Sequence, residues 1–348
     1  MSLVQARGVR SAQSDFEPMS IARREPGPRD VVIDIAYAGI CHSDIEHARS
    51  LRGRSMYPLV PGHEMAGLVR AVGTEVRRFA IGDRVGVGNM VDSCRLCARC
   101  QAGLEQYCSG RRVLTYNSLD HDGQPTYGGY SQQIVVDEHF VLRIPDAIPL
   151  KNAAPLLCAG ITLYSPLRHW QAGPSTRVAI VGLGGLGHVG VRMAKAMGCS
   201  VTVLELHESK RADALRLGAD AFFLSEPAPL KAWAGRFDLL ISTVPATLDF
   251  ESHLGLLDLD GTMVTLALPA EPLTVPAAAL LMNRRRLAGT RSGGLRETQE
   301  MLDFCAHHGI GAEVEVIHAD GITDAYRRLE AGDVRFRFVI DNSTLAKA

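Results

Sequence analysis

The chain has 348 residues, 46% of them apolar, and 37 Lys and Arg offset 38 Asp and Glu for a formal net charge of −1. A chain of this length holds two domains and buries a sizeable core. So balanced a charge offers nucleic acid or an anionic membrane no surface to bind, and neither is expected as a partner.

The opening MSLVQARGVRSAQSD lacks the apolar stretch of a signal peptide. Residues 1–155 then read as an irregular, barrel-like β-rich domain. Short β-rich runs at 31–37 and 131–136 alternate with Gly and Pro punctuation. The apolar stretch 153–167 is broken by Pro155, Cys158 and Pro166 and is too short to span a membrane. A cytoplasmic protein is expected.

From 156 to 291 the pattern becomes strand, helix, strand. Continuous apolar runs at 178–181, 201–204, 239–241 and 263–266 suit strands buried on both faces of a parallel sheet. Helices are expected over 188–197 and 209–217, stopped by Gly198 and Gly218. The alternation predicts a doubly wound α/β domain of Rossmann type. Arg284-Arg285-Arg286 reads as a solvated turn rather than a binding patch. The tail, 292–348, has a helix-like 297–307 and a strand-like 337–340, and by pattern it fits either domain.

Gly182-Leu183-Gly184-Gly185-Leu186-Gly187 is a G-x-G-x-x-G run between the strand at 178–181 and the helix after it. Glycines in that setting allow a tight turn and bring pyrophosphate close to backbone N–H groups at a helix N-terminus. The next strand ends at Glu205, 23 positions after Gly182. An acidic side chain there hydrogen-bonds the adenosine ribose and repels the 2′-phosphate of NADP. NAD(H) is therefore expected. NADP(H) is the alternative, since Lys210 and Arg211 follow closely and can receive a phosphate.

The chain has eight cysteines. Clustered cysteines in a large chain without a secretion signal suggest metal rather than disulfides. Cys94, Cys97, Cys100 and Cys108 form C-x2-C-x2-C-x7-C, a set that closes a tetrahedral structural zinc site. An iron–sulfur cluster is the rival, but the ferredoxin run ends C-x3-C-P, and here the last gap is seven residues with Ser109 following. Cys199 and Cys305 read as ordinary buried thiols. Cys41 stands in GICHSD, His63 and Glu64 in PGHE, and Cys158 in PLLCAG.

With these motifs in order, and with GDRVGVG, TYGGYSQQIVV and ETQEMLDFCAHHGI, the chain resembles the zinc-dependent medium-chain alcohol dehydrogenases, most of all their cinnamyl alcohol dehydrogenase group, from about residue 26 to 341. The resemblance implies a GroES-like catalytic domain made of residues 1–155 plus the tail. It implies a catalytic zinc on Cys41, His63 and Cys158, with Glu64 as an exchangeable ligand or close partner. Two thiolates and an imidazole leave zinc an open position for Lewis-acid work on a substrate oxygen, while hydride passes between substrate and nicotinamide. It further implies Ser43 as the first proton-relay hydroxyl, Thr162 beside the nicotinamide, a small alcohol or aldehyde as substrate, and a homodimer joined through the edges of the nucleotide-binding sheets.

The chain departs from that family at several positions. Glu46 stands where many relatives have a relay histidine, and His47 follows; a carboxylate, the neighbouring imidazole or water can each carry the proton. Glu205-Leu206 replace small hydroxyl residues that hold the NADP phosphate. Arg291 and Val113 stand where aromatics often line the substrate pocket, and Arg52 lies in the loop after the relay. These exchanges raise the expectation of a polar or anionic substrate held partly by a guanidinium. A zinc-dependent polyol dehydrogenase is the alternative activity, and a non-catalytic nucleotide-binding module is the alternative of a different class.

Overall fold

The computed structural model describes residues 2–53, 55–226, 231–245, 248–269 and 271–345. It divides into two compact units, Met1–Cys158 with Gly293–Ala348, and Ala159–Ser292. Among the described residues no helix is long and apolar enough to cross a membrane.

The first unit is built on a seven-stranded sheet. Its centre is strand Asp30–Gly39, flanked antiparallel by Met65–Val72 and by Gln133–Asp137. The central strand is apolar on both faces because both are covered. Val31, Ile33 and Ile35 pack with Met65, Val69, Val85, Ile134 and Phe140, while Ile40 and Ala38 pack with Tyr130, Tyr326, Phe338 and Ile340. The C-terminal segment supplies part of this second core. Its strand Arg337–Asp341 pairs antiparallel with the end of Asp30–Gly39, and Val314–His318 extends the sheet in parallel.

A lobe rises from the ribbon Met90–Asp92 with Val113–Leu114 and holds the four clustered cysteines. The lobe also closes a distant helix. Helix Leu295–His307 begins at Gly294, which has no capping side chain. A Cβ there would lie 1.8 Å from the Gly103 carbonyl oxygen, so only glycine fits. The missing cap comes from the lobe: buried Glu105 accepts the Leu295 N–H at 3.1 Å. Arg296 fastens the same joint by donating to the Ala102 carbonyl at 2.7 Å.

The second unit is a six-stranded sheet in the order Ala221–Leu224, Ser200–Glu205, Arg177–Val181, Phe237–Ser242, Leu257–Thr265, Arg286–Gly289. Every neighbouring pair is parallel. The first strand in sequence lies inside the sheet with the next two strands on one side and the later three on the other, which places the switch point at its carboxyl end, beside the glycine loop. Helix Gly187–Ala196 follows that loop, and Arg211–Arg216 follows a 3-10 turn at Glu208–Lys210. The basic run begins as the expected solvated turn, with exposed Arg284 paired to Asp260, but Arg285 donates to the Leu257 carbonyl and Arg286 opens the edge strand Arg286–Gly289.

Candidate metal and nucleotide sites

Three segments of the first unit bring Cys41, His63, Glu64 and Cys158 together, with one ligand atom of each within 4.8 Å of the others. Cys41 ends the crossing from strand Asp30–Gly39 and is the N-cap of helix His42–Ala48. His63 and Glu64 precede strand Met65–Val72, and Cys158 follows the turn Ala154–Leu157. The Cys41 and Cys158 sulfurs are 3.9 Å apart, and Nε2 of His63 is 3.3 Å from the Cys158 sulfur. Thiolates at ordinary zinc distance in a tetrahedron stand about 3.8 Å apart, so this donor set fits zinc.

The thiols titrate in opposite directions. Hydrogen bonding from Cys158 draws Cys41 well below the usual thiol range, and Cys41 in turn raises Cys158. One proton shared between two close sulfurs is the state that a metal cation displaces.

Behind the ligands lies a layer of fixed charge. Asp44 accepts from Nδ1 of His63 at 2.9 Å, from the Cys41 N–H at 2.8 Å, from the Gly62 N–H at 3.2 Å and from the Tyr130 hydroxyl at 3.3 Å. Holding Nδ1–H this way leaves Nε2 as the lone-pair nitrogen toward the thiols. Glu64 forms a buried ion pair with Arg337, the first residue of a strand 273 positions later. Burial pushes the Glu64 carboxyl up to about 7 against the pull of that arginine. Oε2 of Glu64 has no hydrogen-bond partner among the described residues and lies where a Cβ at Gly39 would be, 2.0 Å away. A buried acceptor oxygen left open beside two thiols and an imidazole is a further sign that these residues suit a cation.

Of the expected relay residues, Ser43 lies in the first turn of helix His42–Ala48, and its carbonyl accepts from the Tyr116 hydroxyl at 3.4 Å. Glu46 is forked by Arg52, at 2.8 and 3.1 Å. One of the two arginines expected near the substrate is thus paired with one of the groups considered for the proton relay. His47 turns the other way. Its Nδ1 meets the Asn117 amide at 2.9 Å, its ring stands edge-on to Tyr116, and burial lowers its pKa. Val113 is fully buried on its two-residue strand. Thr162 and Arg291 belong to the second unit, Thr162 buried within helix Ala159–His169 and Arg291 exposed.

In the lobe, the sulfurs of Cys94, Cys97, Cys100 and Cys108 also lie within 4.8 Å of one another. Neighbouring pairs are 3.3 to 3.9 Å apart. Backbone N–H groups point at the sulfurs, Cys97 N–H at Cys94 and Cys100 N–H at Cys97, both 3.5 Å. The Cys100 amide helps pull the Cys97 thiol down to about 5. Four thiols with no open place among them fit a zinc that stiffens the loop.

In the second unit Gly182 has φ +90°, and a Cβ at Gly187 would stand 2.0 Å from the Gly182 carbonyl. These glycines are needed by the turn and by the helix packed on it. A Cβ at Gly184 would meet nothing within 4 Å, so its bareness serves the space outside the loop. Gly185 and Leu186 complete the turn, and Leu186 is the N-cap residue of helix Gly187–Ala196. Glu205 is buried at the end of its strand. It accepts from the N–H of Leu183 and of Leu206, both 2.8 Å, and from Nζ of Lys210 at 3.1 Å.

A parallel doubly wound unit with a dinucleotide loop and a β-rich unit with two thiol-rich metal constellations together define a zinc-dependent nicotinamide dehydrogenase. Residues 27–146 match the alcohol dehydrogenase GroES-like domain, and residues 185–307 match the zinc-binding dehydrogenases. The chain is 57% identical over 346 residues to the NADP-dependent alcohol dehydrogenase C of Mycobacterium bovis, covering 99% of this chain and 100% of that one. It is 52% identical to the aldehyde reductase YahK of Escherichia coli, over 98% and 99% of the two chains. A solved cinnamyl alcohol dehydrogenase of Sorghum bicolor superposes with a TM-score of 0.96 at 44% identity, covering 100% of both. The chain belongs to the zinc-dependent medium-chain alcohol dehydrogenase family, in its cinnamyl alcohol dehydrogenase-like group.

Proposed function

We propose that the chain is a zinc-dependent alcohol dehydrogenase and aldehyde reductase acting between a nicotinamide cofactor and a primary alcohol or its aldehyde, of cinnamyl type or a more polar analogue. The observation that carries this reading is the convergence of buried Cys41 and His63 with half-buried Cys158, beside Glu64 paired to Arg337. A zinc ion held there supplies Lewis-acid polarisation of the substrate oxygen, and the nicotinamide supplies or takes up the hydride. Asp44 orients His63 for that task. Ser43 is the proposed first acceptor of the substrate proton, and Thr162 the residue beside the nicotinamide. Beyond Ser43, Glu46 is occupied by Arg52, whereas Nε2 of His47 is the nitrogen left to pass a proton on. The four-cysteine lobe is the structural zinc site.

Glu205 supports a preference for NAD(H), unlike the Mycobacterium relative, whose name gives NADP. Edge strand Arg286–Gly289, unpaired on its outer side among the described residues, with exposed Leu268, Leu281 and Met282, supports a homodimer joined along that edge. Clustered thiols that must stay reduced to hold zinc support a cytoplasmic location.

The test is aldehyde reduction by zinc-replete protein, with cinnamaldehyde and a panel of polar and anionic aldehydes, using NADH and NADPH in turn. Turnover that disappears on chelation and returns with zinc is expected. Folded, zinc-loaded protein that reduces none of them and oxidises none of the alcohols overturns the reading.

A further inference from the structure

Each oxygen of Asp44 is held twice. Oδ1 accepts from Nδ1 of His63 and from the Gly62 N–H, and Oδ2 from the Cys41 N–H and the Tyr130 hydroxyl. A carboxylate only accepts, so the Tyr130 proton points at Oδ2, 3.3 Å away. The Tyr130 oxygen then accepts in its turn. The hydroxyl 3.2 Å from it is that of Tyr326, 196 positions later in the chain. The direction of that bond is thereby set: Tyr326 donates to Tyr130, and Tyr130 donates to Asp44.

Both tyrosines are fully buried, and Tyr326 lies in helix Ile322–Glu330 of the C-terminal segment. Phe16 joins them. Its ring centre is 4.8 Å from that of Tyr326 and 5.9 Å from that of Tyr130, and its N–H donates to Thr323 on the same helix at 3.1 Å. Tyr130 lies against Gly62, where a Cβ would stand 2.7 Å from the Tyr130 ring. Gly62 thus serves both oxygens of Asp44, one through its own N–H and the other by admitting the tyrosine. Packing alone would be met by two phenylalanines. A buried phenol costs free energy unless its hydroxyl is bonded, and these two bond in line toward the one acid that holds His63.

We propose that Tyr326 and Tyr130 are positioning residues of the metal site, a hydroxyl chain by which the C-terminal helix holds Asp44, and through Asp44 the imidazole of His63, in the orientation that ligation needs. This rests on the zinc-dependent dehydrogenase reading of Cys41, His63 and Cys158. Hydrogen bonds in line polarise one another, so the pair grips Oδ2 harder than Tyr130 alone. Among the described residues neither hydroxyl bonds a ligand directly. Tyr326 acts through Tyr130, and Tyr130 through Asp44. Tyr326 therefore matters to the metal site only while Tyr130 carries its hydroxyl.

The experiment loads the natural chain, Tyr130→Phe, Tyr326→Phe and the double variant with cobalt(II) in place of zinc, and titrates each with a chelator. The visible bands of cobalt on two thiolates and an imidazole differ from those on four thiolates, so the buried set and the lobe are read separately in one sample. Tyr130→Phe is expected to weaken cobalt binding at the buried set ~10-fold and to leave the lobe unchanged. Tyr326→Phe should weaken the buried set ~3-fold in the natural background and add nothing once Tyr130 is Phe. Phe retains both rings and their packing. Should Tyr130→Phe fail to fold, Tyr326→Phe, which leaves all four donors of Asp44 in place, carries the test by itself. Unchanged binding at the buried set overturns the inference. So does equal weakening of both sites, the mark of a general loosening, and so does a Tyr326→Phe effect of the same size in either background. A natural chain that takes cobalt in the lobe alone removes the dehydrogenase reading, and this inference with it.

Discussion

Cys94, Cys97, Cys100 and Cys108 come from one loop of the chain, whereas Cys41 and Cys158 lie 117 residues apart with His63 between them. The lobe is half-exposed and uses sulfur alone, braced by its own backbone N–H groups. The other centre is buried except at half-buried Cys158 and is braced by side chains from elsewhere, Asp44 on His63 and Arg337 on Glu64. A site made by a short segment needs little from the fold, and a site made by the fold carries charges that the fold must hold. The first plan suits a clamp. The second ties one oxygen of a donor, Glu64, to Arg337 and leaves the other open toward the set.

This contrast can be broken outright by deleting one ligand from each centre. Cys41→Ala should lower turnover by ~10³-fold or more, since several kcal/mol of polarisation is lost. Zinc analysis should then find about one ion per chain, the one in the lobe. Cys100→Ala should also leave about one zinc, but its main effect should be a lower melting temperature, with turnover per folded molecule largely kept. Equal loss of turnover in both variants would show that the lobe is not a mere clamp.

A smaller change removes the outer charges. Arg337→Met strands Glu64 in the interior and should cost about 3–5 kcal/mol of stability in denaturant unfolding. An unchanged midpoint would mean that Glu64 moves onto the metal instead. Asp44→Asn keeps the shape but weakens the grip on His63, and should lower zinc affinity or turnover by ~10–100-fold. Behind the lobe cysteines stands a neutral hydroxyl, that of buried Ser93 at 3.4 Å from the Cys100 sulfur, rather than a charge, so Ser93→Ala should affect lobe zinc less. Least of all, Glu105→Gln should remove about 1 kcal/mol from helix Leu295–His307, visible as faster amide exchange in its first turn while lobe zinc is retained. Unaltered exchange there would show that the remote cap carries nothing.

The same contrast decides what is legible in the sequence. The lobe and the glycine loop announce themselves by spacing, because each is one local segment. Cys41, His63 and Cys158 are each unremarkable alone and gain meaning only from the family resemblance. Asp44 is missed although its signal is present: an acid three residues after the N-cap Cys41 is a capping-box position, and its carboxylate does bond the Cys41 amide. Arg337, in the run FRFVI, has the signal of a charge inside an apolar strand, which must have a buried partner, but nothing in the chain names Glu64 as that partner. Edge strand Arg286–Gly289 is hidden because its four residues start within a basic run. The pairing of Arg52 with Glu46, and of Lys210 with Glu205, depends on side-chain directions that spacing does not fix.

Gly294 has one more consequence. Since no side chain can stand there, the N-cap residue of the helix beginning at Leu295 cannot cap it, and a carboxylate 190 positions earlier in the chain accepts from its first amide. A ribosome delivers the cap long before the helix. The cysteine loop is complete, and under the proposed structural role able to take up zinc, while the C-terminal segment is still being made, so the last part of this chain to be synthesised closes onto a fitting already in place. Scarcity of zinc during synthesis would thus be felt at both ends of the protein's making, as a loose loop early and a frayed helix late.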